Sequence, residues 1–470
     1  MILYLQEEDK YTEEELTDKL KSLNIKDING FLISALSSRI LIPYIEKIDY
    51  GSEIQELSTE YYKLKFVGIL KIESAFIVLY PKYVENIQSD IIHSNKKFKE
   101  IIKVIEKYYA NQIYESNFEK SESSSRFNLQ IKILKEFMEY GIYSNEIESL
   151  KLNGDGEIVW EDTISKLDPI INNGKPIYLD FYTHSTRDEI ENIARKIHVA
   201  ILFEIQEELG LIIDLLGFEK NLFESEGINS IGDIDYLINE LEKELRIQNV
   251  TLKQNILKNL IQYLNKLEES SSILTFEMHG TNSFNLVWEQ ICKKVYCDNL
   301  NSKLVDLNLN LKGKVKLQNS DVSVDYTDRK FLKDIVDKPI WTSLRDDLDI
   351  SASSGALLDV LHINYQNQSF DIYDGKYYEI NFKKDSISGQ PGVEDINKQY
   401  FYQLAYKKLA MLNNFNFNNY FVVPVDDLVD DKGNGVEIFK ARIPYVSELN
   451  LEDIVVIGRD CSTFYKSYLK

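Results

Sequence analysis

The pattern of apolar and polar positions divides the chain into helical and extended stretches that change character several times. YTEEELTDKLKSLN carries apolar residues at helical spacing, with Thr12 and Glu15 placed as a capping box. DINGFLISALSSRILIPY continues as a second amphipathic helix running into a strand. Two short helices and a strand allow a small winged-helix unit or a structural helical cap. Residues 60–83 predict a β-hairpin: Phe66, Val67, Ile69 and Leu70, a turn near Glu73–Ser74, a return strand Phe76–Tyr80, and Pro81 as its stop. A helix over 84–112 follows, with Ile91, Ile92, Phe98, Ile101, Ile102, Val104 and Ile105 as its stripe. The run Ser121–Ser125 reads as a linker or loop tip.

Beyond it lies a helix over Leu129–Tyr140, then a turn at Asn153–Gly156 beside a tryptophan, Trp160, expected to be packed. From Arg187 to about Leu267 the pattern is nearly continuous helix, broken at Gly227–Gly232. Gly280–Leu300 is a helix with Thr281 or Ser283 as its cap and Phe284, Val287, Trp288, Ile291 and Val295 on one face. Ala356–Ile380 predicts two strands joined by a polar turn over Asn364–Ser369. A helix through VEDINKQYFYQLAYKKLAML, a buried strand FNFNNYFVVPV, and a last strand and helix complete the order. The fold class is α/β (α+β), with an N-terminal α+β domain over 1–120, a mainly helical scaffold or partner-binding region over 121–270, and an α/β domain over 271–470.

The 470 residues leave ample chain for a large core, and 44% hydrophobic content fits a globular protein. No apolar run approaches a membrane span and the acidic N-terminus lacks a signal-peptide pattern, so a cytoplasmic protein is expected. Cys292, Cys297 and Cys461 lack zinc-site spacing and fit a reducing compartment. A net charge of −22 is unusual for a protein that grips DNA unaided. The excess is uneven: 23 Lys and Arg face 28 Asp and Glu from residue 271 onward, against 31 and 48 upstream.

The candidate chemistry lies in the two strands of Ala356–Ile380. Alternation of side chains puts Asp374 and Lys376 on one face, with Gly375 pointing away, and a hairpin brings Asp359 alongside them. Two carboxylates and an amine can hold a divalent metal and orient a water, the requirement of phosphodiester hydrolysis. Glu289, at the edge of the preceding helix face, is either a further ligand or a solvated residue. Gln399 and Gln403 stand one turn apart on the following helix, as do Tyr402 and Tyr406. Lys312, Lys314 and Lys316 alternate along one strand, as phosphate contacts or as protection of an exposed edge. No phosphate loop of the G-x-x-x-x-G-K-[ST] type is present.

The order Glu289 helix, Asp359 strand, Asp374–Lys376 strand, Gln399 helix resembles the PD-(D/E)xK nuclease superfamily, a mixed sheet flanked by helices. The segments GTNSFNLVWEQICKKV, FDIYDGKYYEI and GQPGVEDINKQYFYQLAY are similar to those of the LlaJI family of restriction endonuclease subunits, relatives of McrC. KFVGILKIESAFIVLYPKY and GDGEIVWEDTI extend the likeness over most of the chain. Leu358 stands where the superfamily commonly has proline, and Gly375 where the family usually has alanine. The resemblance implies a Mg²⁺-dependent endonuclease of a restriction, or phage-defence, system. It implies Asp359, Asp374 and Glu289 as metal ligands, Lys376 as the residue orienting water, and Gln399 and Gln403 in support. Double-stranded DNA and an McrB-like AAA+ GTPase are the implied partners. A non-catalytic adaptor that docks on and stimulates the GTPase is the alternative, and a stand-alone nuclease a third reading.

Overall fold

A computed structural model of the chain describes all residues except 51–52, 86, 88–89, 116–124, 221, 269–275, 318–319, 344–347, 354, 384–385, 427–435 and 445–450. The chain opens with β1 (Ile2–Gln6), β2 (Lys10–Thr12), α1 (Glu13–Lys21), α2 (Ile28–Ser37), β3 (Leu41–Tyr50) and β4 (Glu53–Leu64). The capping box expected at α1 is present: Glu15 N–H donates to Thr12 Oγ1 and Thr12 N–H to the Glu15 carboxylate. Strands β2, β4 and β3 form an antiparallel sheet behind the two helices, in the order named.

The expected hairpin follows as β5 (Val67–Ile72) and β6 (Ala75–Tyr80), buried throughout, with Glu73 at φ +51° in its turn. These join β1 and β11 (Glu277–Thr281) in a four-stranded sheet of order β1-β6-β5-β11. Helix α3 (Ile91–Glu115) buries Phe98, Ile101, Ile102, Val104 and Ile105. Ile91 and Ile92, assigned to the same stripe, are exposed because they occupy its first turn. Ser121–Ser124 of the expected linker lie outside the described residues, and Ser125 caps α4 (Arg126–Tyr140).

Next come β7 (Glu146–Leu152), α5 (Trp160–Lys166), β8 (Ile170–Asn172), β9 (Lys175–Ile177) and β10 (Tyr182–Asp188). Strands β7 and β10 pair antiparallel across the Asn153–Gly156 turn and its neighbours. Trp160 is half exposed and meets the edge of Phe181 in an aromatic contact, so the expected packed tryptophan is corrected. The long helical stretch resolves into α6 (Ile193–Leu209), α7 (Ile234–Ile247) and α8 (Thr251–Glu268).

The last part comprises α9 (Phe284–Val295), β12 (Lys312–Leu317), β13 (Ser320–Asp325), β14 (Ile340–Thr342), β15 (Asp349–Ser351), β16 (Val360–Asn364) and β17 (Ser369–Gly375). It ends with β18 (Asn381–Lys383), β19 (Ser386–Ser388), α10 (Val393–Asn413), β20 (Asn416–Val425), β21 (Val436–Ala441), β22 (Ile454–Asp460) and α11 (Cys461–Leu469). A mixed five-stranded sheet runs β16-β17-β20-β22-β21. Its central pairs β17·β20 and β20·β22 are parallel, and its edges antiparallel. Ser283 holds the N-cap position of α9 but its side chain makes no capping bond, and Thr281 Oγ1 accepts from Ser283 N–H, the residue just before the helix.

The chain divides into two compact units. One holds residues 119–279 with 71–76. The other gathers 2–70, 77–118 and 280–470, so the N-terminal segment and the five-stranded sheet share a unit. In that unit, Leu361, Ile363, Phe370 and Ile372 of β16 and β17 pack on Tyr402, Tyr406 and Leu409 of α10. Tyr400, Phe421, Val423, Ile454 and Val456 continue this layer over β20 and β22.

Candidate functional site

Strand alternation builds the site at the C-terminal end of β17. Phe370 and Ile372 face the α10 layer, so Asp374 does too, and Lys376 continues that side. Asp359 closes from the neighbouring strand: it immediately precedes β16, and its Oδ2 accepts a 3.1 Å hydrogen bond from Gly375 N–H. Asp374 is buried and Asp359 half-buried. Burial first, then the charge of Asp359 and a hydrogen bond shared with it, push the Asp374 carboxyl far above the ordinary carboxylate range.

Lys376 Nζ lies 3.0 Å from Asp374 Oδ2 and 2.7 Å from Asp395 Oδ1. Burial alone would lower its pKa, but the two aspartates outweigh it and the ammonium is held above its ordinary range. Asp395 sits in the first turn of α10, accepts from Gly392 N–H at 3.2 Å, and takes a 3.3 Å bond from Tyr378 OH. Its pKa is lowered: burial would raise it, and the Lys376 hydrogen bond and charge prevail. Asp395 was not singled out in the sequence. An acid in the first turn of a helix serves the helix dipole anywhere, and only the fold brings it to Lys376.

Glu289 approaches from α9 on the opposite layer. Burial, then the charge of Asp359, raise its carboxyl to about 7. Gly375 faces this helix: a Cβ there would stand 3.2 Å from Glu289 Cα and 3.4 Å from Cys292 Sγ. The glycine thus points away from Asp374 as expected, yet into a tight contact where a methyl group would make α9 yield. Trp288 fixes the helix, donating from Nε1 to Val422 O at 3.0 Å. The same carbonyl accepts from Lys376 N–H at 2.9 Å, so one atom of β20 positions both elements.

Gln399 and Gln403 are buried beneath α10. Gln399 Nε2 donates to Tyr420 O at 3.1 Å and Gln403 Oε1 accepts from Glu452 N–H at 3.2 Å, so both tie the helix to the sheet layer. Gln399 Oε1 and both amide atoms of buried Asn419 have no hydrogen-bond partner among the described residues. Lys312, Lys314 and Lys316 lie on the β12–β13 hairpin, remote in sequence from these groups. Lys312 pairs with Asp325 at 2.5 Å, Lys316 is in register with Asp321, and Lys314 faces Ser323.

Asp359 and Asp374 supply hard oxygen donors that repel one another unless a proton or cation lies between them, which suits Mg²⁺ or a similar ion. Among the described residues no three His, Cys, Asp or Glu side chains are gathered closely enough to hold a metal by themselves, so Glu289 stands outside a ready-made three-acid cluster.

Paired acids and a lysine at the ends of adjacent strands of a mixed sheet, with helices on both faces, place the chain among mixed α+β proteins with an acid–acid–lysine cluster at the strand ends. The chain belongs to the LlaJI restriction endonuclease family, whose model matches residues 66–336 and 324–442. It is 26% identical over 355 residues to the type II restriction enzyme BsuMI component YdjA of Bacillus subtilis (strain 168), covering 73% of this chain and 69% of that one. Two solved structures of the Thermococcus gammatolerans McrB–McrC assembly are also similar. One covers 100% of this chain and 98% of its own at 11% identity and a TM-score of 0.34. The other covers 64% and 89% at 12% identity and 0.24.

Proposed function

We propose that this restriction endonuclease family member is the DNA-cleaving subunit of a restriction system, hydrolysing phosphodiester bonds with Mg²⁺ at Asp359, Asp374 and Lys376. The observation that carries the reading is the Asp359–Asp374–Lys376–Asp395 arrangement: two acids at the ends of adjacent strands beside an ammonium gripped from two sides. Asp359 and Asp374 would hold the ion, with Glu289 as an outer ligand or water acceptor. A bound Mg²⁺ would supply Lewis acidity to the phosphate and lower the pKa of a water. Lys376 orients the attacking water and offsets charge that develops on the phosphate oxygens. Gln399 and Gln403 hold α10, and through Asp395 the lysine, in place.

The partner in this reading is an McrB-like AAA+ GTPase, which relieves an acidic chain of gripping DNA alone. One observation also favours a docking role: Leu150, Leu152, Trp160, Ile170, Ile171 and Leu179 are all exposed within a short stretch of the 119–279 unit. The roles separate by measuring DNA cleavage and GTP hydrolysis together, with partner, nucleotide and Mg²⁺. A nuclease subunit cuts only with the divalent ion; GTPase stimulation without cleavage in any assembly would leave the adaptor reading.

A further inference from the structure

The lysines of the N-terminal segment converge although they are far apart in sequence. Lys10 of β2 and Lys63 of β4 are directly opposed across the antiparallel pair, an arrangement of like charges that costs stability. Both ammonium groups lie over the ring of Tyr44 on β3, Lys10 Nζ at 4.1 Å and Lys63 Nζ at 5.7 Å from its centroid. Just beyond β4, Lys65 is exposed. Lys82, following β6, places Nζ 4.5 Å from the centroid of Tyr377, and its backbone N–H donates to Tyr377 OH at 3.3 Å. Tyr377 is the residue after Lys376, so this cluster abuts the strand end that carries the site.

Acids lie among these amines. Glu8 pairs with Lys63, and Glu379 faces Lys82. Glu7 is buried, accepts from Tyr377 OH, and is raised toward its neutral form by burial. Lys63, Lys65 and Lys82 lie near enough for mutual repulsion, and Lys63 and Lys82 are both lowered, by burial first. This differs from the β12–β13 hairpin, where Asp321 and Asp325 stand opposite Lys316 and Lys312. In a chain of net charge −22, three amines held over two tyrosine rings, with exposed Lys65 among them, fit a polyanion with aromatic or sugar surfaces between its charges.

We propose that Lys10, Lys63, Lys65 and Lys82, with Tyr44, form a binding surface for the DNA phosphate backbone that leads it to the end of β17. The ligand rests on the nuclease reading above; the surface itself is tested without catalysis. The full chain is titrated against a short mixed-sequence DNA duplex in EDTA, by fluorescence anisotropy over a range of salt. The combined variant Lys63→Gln, Lys65→Gln, Lys82→Gln is expected to bind at least tenfold more weakly. The slope of log affinity against log salt should fall by about 0.9 for each phosphate that the variant no longer neutralises. Lys65→Glu, an exposed change that leaves both tyrosine platforms intact, should weaken binding several-fold on its own. Lys312→Gln, Lys314→Gln, Lys316→Gln combined should bind nearly as wild type. Unchanged affinity and slope in both the combined variant and Lys65→Glu, or a wild-type chain without salt-dependent binding, overturns the proposal. Asp374→Asn should bind normally in this assay, so failure of the nuclease reading would appear only as absent cleavage.

Discussion

Lys376 reaches two aspartates at once, and only one of them, Asp374, is among the paired acids. Were a cation to occupy the Asp359–Asp374 pair, as proposed, Asp395 would remain to hold the ammonium. Asp395→Asn is therefore expected to lower the single-turnover cleavage rate by about tenfold to a hundredfold through misplacement of Lys376. Asp395→Glu should recover part of it, and an unchanged rate in Asp395→Asn would remove the residue from this role. A different residue, His198, contributes to the acid sensitivity of the 119–279 unit. His198 is buried and its Nδ1 accepts from Tyr143 N–H, so burial, then Arg195, lower its pKa to about 4. The unfolded chain takes up a proton near pH 6.5 and the folded one does not. The stability tied to neutral His198 is present above that pH and is lost as pH falls toward 4, on the order of 3 kcal/mol at the limit. Denaturant titrations of wild type and His198→Gln between these pH values should differ in slope; equal slopes would contradict the assignment.

Among the elements, helix α9 owes its position to Trp288, which is buried, stacked on Phe464 and bonded to the carbonyl that also receives Lys376 N–H. Trp288→Phe keeps the stacking surface but removes the bond, so a loss of about 1 kcal/mol is expected in chemical denaturation. A much larger loss would mean that packing, not the bond, anchors the helix. Local pattern made much of this level legible. The α1 capping box, the β5–β6 hairpin and the strand pair around Asp359 and Asp374 follow from capping chemistry, proline and two-residue alternation. Periodicity failed where burial depends on a distant partner. Ile91 and Ile92 share the α3 stripe but stay exposed in its first turn, and Trp160 is apolar yet half exposed. Gly375 read as turned away from the site, but the approach of α9 to its missing side chain is a tertiary fact. So is the meeting of Asp395 with Lys376.

On the scale of the molecule, the order of the sequence concealed which parts belong together. Residues 2–70, 77–118 and 280–470 share a unit, which puts Lys82 beside Tyr377; nothing in their spacing along the chain announces it. The acidic excess, read as a mark of reliance on a partner, is thus compatible with a local basic surface next to the site. The other unit carries the exposed apolar residues from Leu150 to Leu179. The central claim is that this family member cuts DNA with the acid pair and Lys376. Its most direct test is single-turnover cleavage by Asp374→Asn and Lys376→Ala with partner, nucleotide and Mg²⁺, each variant first shown to melt as wild type or higher. Loss of cleavage by at least a hundredfold in both, with DNA binding retained, is the predicted result; cutting at the wild-type rate by either variant would contradict it.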